Sequence, residues 1–547
     1  MTNNAAHYNQ AVPQPLLVRV FVFSALVFSL VAPSLAQSSA AANAKEPGGR
    51  VLLVLPFDNR SGQPNLAWIG NSFPDTLNQR LSSAGFLTIT RDDRQFALDH
   101  LGLPPNFKPT RATTIRIAQT LDADYVIVGS YKLNGGRIQV QAQVLEVNGL
   151  TLSQPLLDSS ELARLLDVEN AMSWKVARQI DPRFSVAQQT FLSASSGVRL
   201  SAFENYIRGT DAPTPQERVK RLQTAVSESP NYAAAQLALG KELYTDREFD
   251  SAATMLAKVP KSDRLSLEAS FYLGLSRFNA AKYGEAEAAF AFLASRLPLP
   301  EVVNDQGVAQ ARQGKDARAL FQRAVNADPN DPDYHYNLAV QDFRHGDFAS
   351  AQREVDATLK LKAADVDATE LRTHILAGRA TAPKANGVEF EPTERLRRTY
   401  SEASFRQAAF QLDQMRAMRL ATQPPAQQAA EYTQAGSDYL MQGLLPEAEQ
   451  EFHAALSAEP GSAAAHAGLA RIREQSGDVD EARNEAQASL AASPSVEAYL
   501  VLARLDLGKN NLAASADSVS KALKLEPAST AAQGIRHALQ LRGQNTP

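Results

Sequence analysis

The side chains that could do chemistry are few, and their spacings do not combine. Eight histidines occur, and none stands three or four positions from another, the interval at which two imidazoles share a helix face and bind one metal ion. His335 and His345 come nearest to each other and read as surface or groove residues. There is no cysteine, so disulfides, thiolate metal sites and cysteine nucleophiles are excluded together. The run from Gly307 to Asp316 superficially suggests a phosphate-binding loop. Its glycines, Gly307 and Gly314, enclose six residues where four are needed, Asp316 stands where Ser or Thr would hold magnesium, and no strand precedes it. The carboxylate pairs Asp92-Asp93 and Asp122-x-Asp124 could serve acid–base work, but no base, nucleophile or metal partner accompanies them. They read as solvated turn and strand-edge positions. Ser61 lacks the G-x-S-x-G frame of a nucleophile elbow. No catalytic residue, metal or cofactor is expected.

The elements around these residues point to binding instead of chemistry. A chain of 547 residues with 44% hydrophobic and 21% charged side chains has ordinary soluble composition and is long enough for several folding units. A net charge of −4 gives no electrostatic reason to expect nucleic acid or an anionic membrane as partner. Near the N-terminus the apolar run Val20 to Val31 follows Arg19 and precedes Pro33-Ser34-Leu35-Ala36. It is short for a spanning helix, and the small residues Ser34 and Ala36 suit signal peptidase. Residues 1–36 are therefore read as a signal peptide cleaved after Ala36, and 37–49, rich in Ala, Ser and Gly, as a flexible spacer. An uncleaved anchor is the alternative and the one membrane contact expected. Export is expected, to the periplasm if the source is a double-membrane bacterium.

Residues 50–182 read as an α/β domain. Val51 to Leu55 is an unbroken apolar run of strand length, as in a strand covered on both faces, and Pro56 ends it. Ile69, Phe73, Leu77 and Leu81 recur every four positions and mark a helix ending near Gly85. Short strands are expected over Phe86–Thr90, Tyr125–Ser130 and Ile138–Leu145, the last two joined by the Asn134-Gly135-Gly136 turn. Helices are expected over Thr113–Leu121 and Leu162–Ile180, with Asp181-Pro182 as the stop. The pieces Leu55-Pro56-Phe57, Ser61-Gly62, Leu66-Ala67-Trp68, Ala123-Asp124-Tyr125-Val126, Gly129-Ser130 and Gly136-Arg137-Ile138 resemble the amino-terminal-domain family named after TolB. The resemblance implies an accessory recognition domain without catalytic residues. Gly149-Leu150-Thr151-Leu152 departs from it, since the family usually carries an aromatic there. Residues 183–199 read as a mostly polar linker.

Beyond the linker a period takes over. Gly443 and Gly477 stand 34 positions apart, and Ala448-x11-Pro460 is echoed by Ala482-x11-Pro494. Small residues recur where two helices of one unit must cross closely: Gly240, Gly274, Ala286, Gly307, Ala317, Ala351, Gly436, Ala448 and Ala482. The pattern is similar to the tetratricopeptide repeat (TPR), which implies an all-α solenoid in two blocks, 200–374 and 429–547, of seven repeats with a degenerate one ahead. Residues 375–428 break the period and read as a loop over Pro383–Pro392 followed by helix over Thr393–Met418.

Projecting the repeat register places Lys241, Tyr244, Phe271, Phe278, Tyr336 and Phe343 towards the groove of the first block, and Arg471 and Arg504 in the second. Aromatic rings supply contact area at small entropic cost, and arginine supplies a fork for carboxylates. Proteins or peptides are the expected partners, and an exported, non-enzymatic scaffold is the expected function. The alternative is a sensor in which the N-terminal domain binds a small ligand and the repeats relay it. N-terminal sequencing of the exported protein is expected to begin at Gln37, whereas a start at Met1 would refute cleavage.

Overall fold

The alternation of Val51–Leu55 sends Leu52 and Val54 to one face of a sheet and Leu53 and Leu55 to the other, each face closed by helices. The computed structural model describes residues 50–104, 110–193, 197–378, 390–400 and 402–546. The expected signal peptide and spacer lie outside the described residues. The α/β domain runs β1 (Val51–Val54), β2 (Asp58–Asn59), α1 (Ala67–Ser83), β3 (Leu87–Thr88), α2 (Arg91–His100), α3 (Arg111–Thr120), β4 (Tyr125–Asn134), β5 (Arg137–Glu146), β6 (Thr151–Leu152), β7 (Leu156–Glu161) and α4 (Leu165–Ile180). The strand order is β3-β1-β4-β5-β6, with β2 on β4 and β7 on β5. The β1–β3, β1–β4 and β2–β4 pairings are parallel, and those of β5 with β4, β6 and β7 are antiparallel. Gly135 and Gly136, at φ of 55° and 82°, supply the positive φ values that a tight turn between β4 and β5 requires.

Helices α1 and α4 cover one face, and α2 and α3 the other. Phe57 is wedged between α1 and β4: its ring stacks on Phe73 at 4.0 Å, and a Cβ built on Gly129 would lie 2.3 Å from it. Helix α2 and strand β7 go beyond the sequence expectation. Asp92-Asp93 opens α2, where Thr90 Oγ1 accepts the Asp93 amide hydrogen and donates to the Asp93 carboxylate. Asp124 accepts the Val51 amide hydrogen and ties β1 to the start of β4.

The all-α part pairs α6 (Leu200–Thr210) with α7 (Pro215–Glu228), after a short α5 (Gln188–Ser193). There follow α8 (Ala233–Thr245) and α9 (Phe249–Leu256), α10 (Ser266–Asn279) and α11 (Tyr283–Arg296), α12 (Pro300–Ala311) and α13 (Arg318–Ala327), and α14 (Pro332–Arg344) and α15 (Phe348–Leu361), closed by α16 (Val366–Leu376). Helix α17 (Glu402–Ala421) leads to the second block: α18 (Pro425–Met441) and α19 (Leu445–Ala458), α20 (Ala463–Gln475) and α21 (Val479–Ala492), and α22 (Val496–Gly508) and α23 (Leu512–Leu525), closed by α24 (Thr530–Leu541). A Cβ built on Gly240, Gly274, Gly307 or Gly436 would lie 2.5–2.8 Å from Leu256, Phe290, Phe321 or Phe452 of the paired helix. Ala286, Ala317, Ala351, Ala448 and Ala482 are buried in the complementary positions. Gly314 takes a φ of 72° in the turn after α12, so helix packing and turn geometry account for both glycines of the phosphate-loop look-alike.

Two expectations need correction. The 183–199 linker is not a free tether: Phe184, Val186 and Phe191 are buried in the core of the α/β domain. Its polar side chains are spent on the second block instead. Arg473 of α20 donates to both oxygens of Glu449 on α19 at 2.6 and 2.9 Å and to Thr190 at 2.8 Å, while Glu449 accepts the Ala187 amide hydrogen. The helix expected from Thr393 begins only at Glu402, because residues 390–400 form neither helix nor strand and are held on the first block by side chains.

Two of the buried glutamates, Glu169 and Glu449, titrate in opposite senses. Glu169 of α4 faces Ser72 and Thr76 of α1 with no cation beside it among the described residues, and burial raises its carboxyl to about 8 despite both hydroxyl contacts. Ser72 also donates to the Ile69 carbonyl, so a neutral Glu169 carboxyl supplies the proton that Ser72 lacks. Burial also raises Glu449, but the contacts from His453 and Arg473 outweigh it and hold the group at about 2. Glu449 thus contributes stability present above the unfolded carboxyl range and lost as pH falls towards 2, whereas the Glu169 contribution is complete below about 4.5 and lost as pH rises through 8. Glu169→Gln is therefore expected to gain on wild type by about 2–4 kcal/mol between pH 4.5 and 8, measured by denaturant unfolding. A difference independent of pH would refute the neutral carboxyl.

Candidate peptide-binding groove

The first helices of successive pairs touch one another, and their shared face in the first block holds residues 390–400 of the same chain. This strap forms neither helix nor strand itself. Its backbone is met by side chains instead: the Arg395 amide donates to Asn337 Oδ1 at 2.7 Å, and the Arg395 carbonyl accepts from Asn337 Nδ2 at 2.8 Å and from Asn304 Nδ2 at 3.1 Å. Two residues on, the Arg397 amide donates to Asp305 Oδ1 at 2.7 Å. Asn304, Asp305 and Asn337 are all buried, and Asn337 also donates to Asn304 Oδ1 at 2.7 Å, so the three hold one another in place.

The strap's side chains fall into separate pockets. Arg395 lies with its guanidinium 3.8 Å from the Tyr336 ring centroid and forks onto Asp365 at 2.6 and 2.8 Å, with Asp333 at 2.9 Å. Asp365 is the N-cap of α16, where it also accepts the Ala368 amide hydrogen. Burial would raise this carboxyl, but the Arg395 and Ala368 hydrogen bonds outweigh it and hold it well below the usual carboxylate range. Glu394, fully buried, faces cations: Arg344 and Gln341 donate to its Oε1, and Arg312 stands 3.5 Å from its Oε2. Arg397 reaches Asp331. Aromatic contacts close both ends, Phe390 against Phe343 and His374, and Tyr400 against Phe271 and Tyr272.

Of the residues expected in the groove, Phe271, Tyr336 and Phe343 are its buried floor, at 0%, 3% and 1% exposure, covered by the strap and by neighbouring helices. Phe278 packs between the clusters under Leu396 and against Tyr283. Tyr244 is half-buried beside Tyr272 and Phe249. Lys241 pairs with Glu268 at 2.6 Å, which holds its ammonium above the ordinary range in spite of burial. In the second block Arg504 is forked onto Glu474 at 2.7 Å, and Arg471 stands 3.7 Å from Glu497, so both are engaged between repeats. His335 is neither surface nor groove: its ring bridges Glu354 of α15 and the Pro329 carbonyl, and His466 repeats the arrangement with Glu485 and Pro460.

Sequence reasoning missed Asn304, Asp305, Asn337 and Asp365. A signal was present: Phe271, Asn304 and Asn337 each stand 33 positions from the next and occupy one column of the repeat. Asparagine in two successive repeats, at the position where Phe271 is apolar, marks a place where something polar must be met.

Tetratricopeptide-repeat family profiles match residues 237–298, 273–332 and 439–505. No curated protein matches the chain. Among solved structures, the C-terminal domain of LpoB from Salmonella enterica is 25% identical over 21% of this chain and 83% of its own, with a TM-score of 0.18. YrrB, described as a TPR protein with an unusual peptide-binding site, is 14% identical over 45% of this chain and 96% of its own, with a TM-score of 0.26. TolB from Acinetobacter baumannii is 17% identical over 25% of this chain and 29% of its own, with a TM-score of 0.18. At scores this low none of the three carries a functional argument.

Asn337→Ala removes the two-way hold on Arg395 and leaves its amide hydrogen without a partner. The substitution is expected to lower stability by about 1–3 kcal/mol and to speed proteolysis between Gly378 and Glu402 while the helical circular dichroism stays unchanged. Unchanged cleavage would show that the strap is held by its side chains alone.

Proposed function

We propose that this chain, a tetratricopeptide-repeat protein, is an exported, non-enzymatic adaptor that assembles proteins in the cell envelope by holding extended segments of them in the groove of its first block. Tetratricopeptide repeats are generally scaffolds for protein–protein interaction. The observation that carries the groove reading is the hold on residues 390–400, where side chains of the first helices hydrogen-bond a polypeptide backbone that has no secondary structure of its own. A surface that binds one extended segment in this way is equipped to bind another. Support for export comes from Val20–Val31 and the small residues before Gln37. The non-enzymatic reading rests on the isolation of the titratable groups: the carboxylates of the groove are each engaged by arginine, asparagine or backbone amides.

A second reading, in which a small ligand acts on the repeats, is favoured by one feature. A cavity of about 500 Å³ lies where α1 and α2 meet α6, α8 and α10, lined by Asp75, Arg91, Tyr206, Lys241 and Glu268 and bordered by Tyr400 at the end of the strap. Its size suits a small molecule. A ligand there would touch the α/β domain and the strap together.

Crosslinking in the native envelope followed by mass spectrometry separates the two. Adaptor function is expected to give a defined set of proteins that is lost when Asn304 and Asn337 are both replaced by Ala. Recovery of the chain from the cytoplasm, or an unchanged set, would refute it. A small molecule that raises the melting temperature of the full chain by about 2 °C or more, with the rise abolished by Lys241→Ala, would favour the sensor.

A further inference from the structure

We infer that the first-block groove recognises a partner segment with the chemistry of residues 394–397, an acidic residue followed by arginines at alternate positions of an extended backbone, and that the chain's own copy occupies the site until such a segment displaces it. The inference rests on the adaptor reading above and names the partner of the same groove.

Register comes first. Asn337 reads both polar groups of one residue and Asp305 reads the amide two positions later, a spacing that suits only an extended chain and sets which side chain enters which pocket. The pocket for the first arginine is specific to a guanidinium. A flat Tyr336 ring beneath, a two-pronged Asp365 beside it and Asp333 in line match a planar fork, and a lysine ammonium has neither the plane nor the paired donors. The preceding position has the opposite preference, since Arg344 and Arg312 surround Glu394, whose side chain is fully buried. Reversing the two charges would place like against like at both sites.

The resident segment leaves this site imperfectly filled. Asp305 Oδ2 is buried with no hydrogen-bond partner, although Asp305 Oδ1 is used twice. An orphaned polar atom of this kind weakens the complex with the strap, and a segment offering one more hydrogen-bonding group at the Arg397 position would satisfy it. The groove is therefore matched to the class of the strap more closely than to the strap itself. Occupation in cis lowers the apparent affinity for every competitor by the fraction of time the groove is filled, so only segments that reproduce the Glu-Arg-x-Arg contacts compete.

The test uses the full chain, the strap variant Arg395→Ala/Arg397→Ala, and a fluorescent peptide with the sequence of residues 390–400. The strap variant is expected to bind the peptide at least about tenfold more tightly than wild type, because its own segment no longer competes. It is expected to bind a peptide with both arginines replaced by Ala at least about tenfold more weakly, and to lose binding when Asn337→Ala is added. Equal binding of the two peptides, or equal binding by wild type and variant, would overturn the inference. A wild-type dimer that becomes a monomer in the strap variant would overturn it too, by making a second copy the occupant. If circular dichroism shows the variant to be unfolded, wild-type chain cut at a protease site introduced between Gly378 and Phe390 replaces it, and displacement of the strap by the arginine peptide but not the alanine peptide is then the expected result. Should the peptides fail while envelope crosslinks still depend on Asn304 and Asn337, the partner chemistry is wrong and the adaptor reading stands.

Discussion

A helix has already spent its backbone hydrogen bonds on itself, so an extended segment lying across helices can satisfy its own amides only through side chains. That constraint explains the polar residues inside the first block. Asn304, Asp305 and Asn337 would each cost stability in a dry interface between helices, and each is instead paired with the strap's backbone or with one another. Asparagine suits the task because one side chain carries a donor and an acceptor, which matches the amide and carbonyl of a single residue. Of the strap's backbone, Asp305 meets only the amide hydrogen of Arg397, and the same Oδ1 accepts from Asn304 Nδ2. Burial pushes the Asp305 carboxyl well above the usual range, against the pull of the Arg397 amide and Asn304. The arginine pocket sits at the N-terminus of α16, where Asp365 works both as helix cap and as counter-ion.

The α/β domain is part of the same assembly. Phe203 and Ile207 of α6 share its core with Trp68, while Arg264 of the first block donates to the Ser82 carbonyl and pairs with Glu447 of the second. Gln450 donates to the neighbouring Ser83 carbonyl. The C-terminus of α1 therefore offers its free carbonyls to both blocks, the groups that every helix end leaves unsatisfied. Helix α17 completes the circuit: Phe405 packs on Phe271 beside the strap, and Arg416 forks onto Glu451 of the second block. The strap is thus anchored at one end to a helix that is itself fixed to the second block.

The parts legible from sequence were those with a repeating physical cause. Close crossing of two helices demands a small residue every turn of the repeat, and Gly240, Gly274, Gly307 and Gly436 carry that demand in plain sight. The run Val51–Leu55 is apolar because both sheet faces are covered. Elements formed by single events were harder to see. Helix α2 has only Ala97 and Leu98 buried, so it shows no stripe, and β7 alternates between partly buried and exposed residues with none fully buried. Leu396 and Tyr400 looked like a helical face because they are four apart, and both pack on the cluster of Phe271 and Phe290, with Leu396 also reaching that of Phe321, but from a segment that is not helical. The aromatic floor of the groove, Phe271, Tyr336 and Phe343, was legible as periodic; its asparagines were not, since what they satisfy is contributed from more than fifty residues further along the chain.

That sequence distance has a thermodynamic consequence. A segment joined to its own groove by a short connection competes at an effective concentration of about millimolar, far above that of most free partners. One extra hydrogen bond from a partner cannot overcome that advantage, so capture depends on several interactions being matched at once. The groove supplies them in a fixed order: the acidic residue against Arg344, the arginine fork against Asp365, and the second amide against Asp305. The first two pair opposite charges, and each of the three is lost on a one-residue slip, because successive residues of an extended backbone point in opposite directions. Internal occupation therefore raises selectivity at the expense of affinity. It also keeps Phe271, Tyr336 and Phe343 covered in the absence of a partner, which removes an apolar patch that would otherwise invite non-specific association.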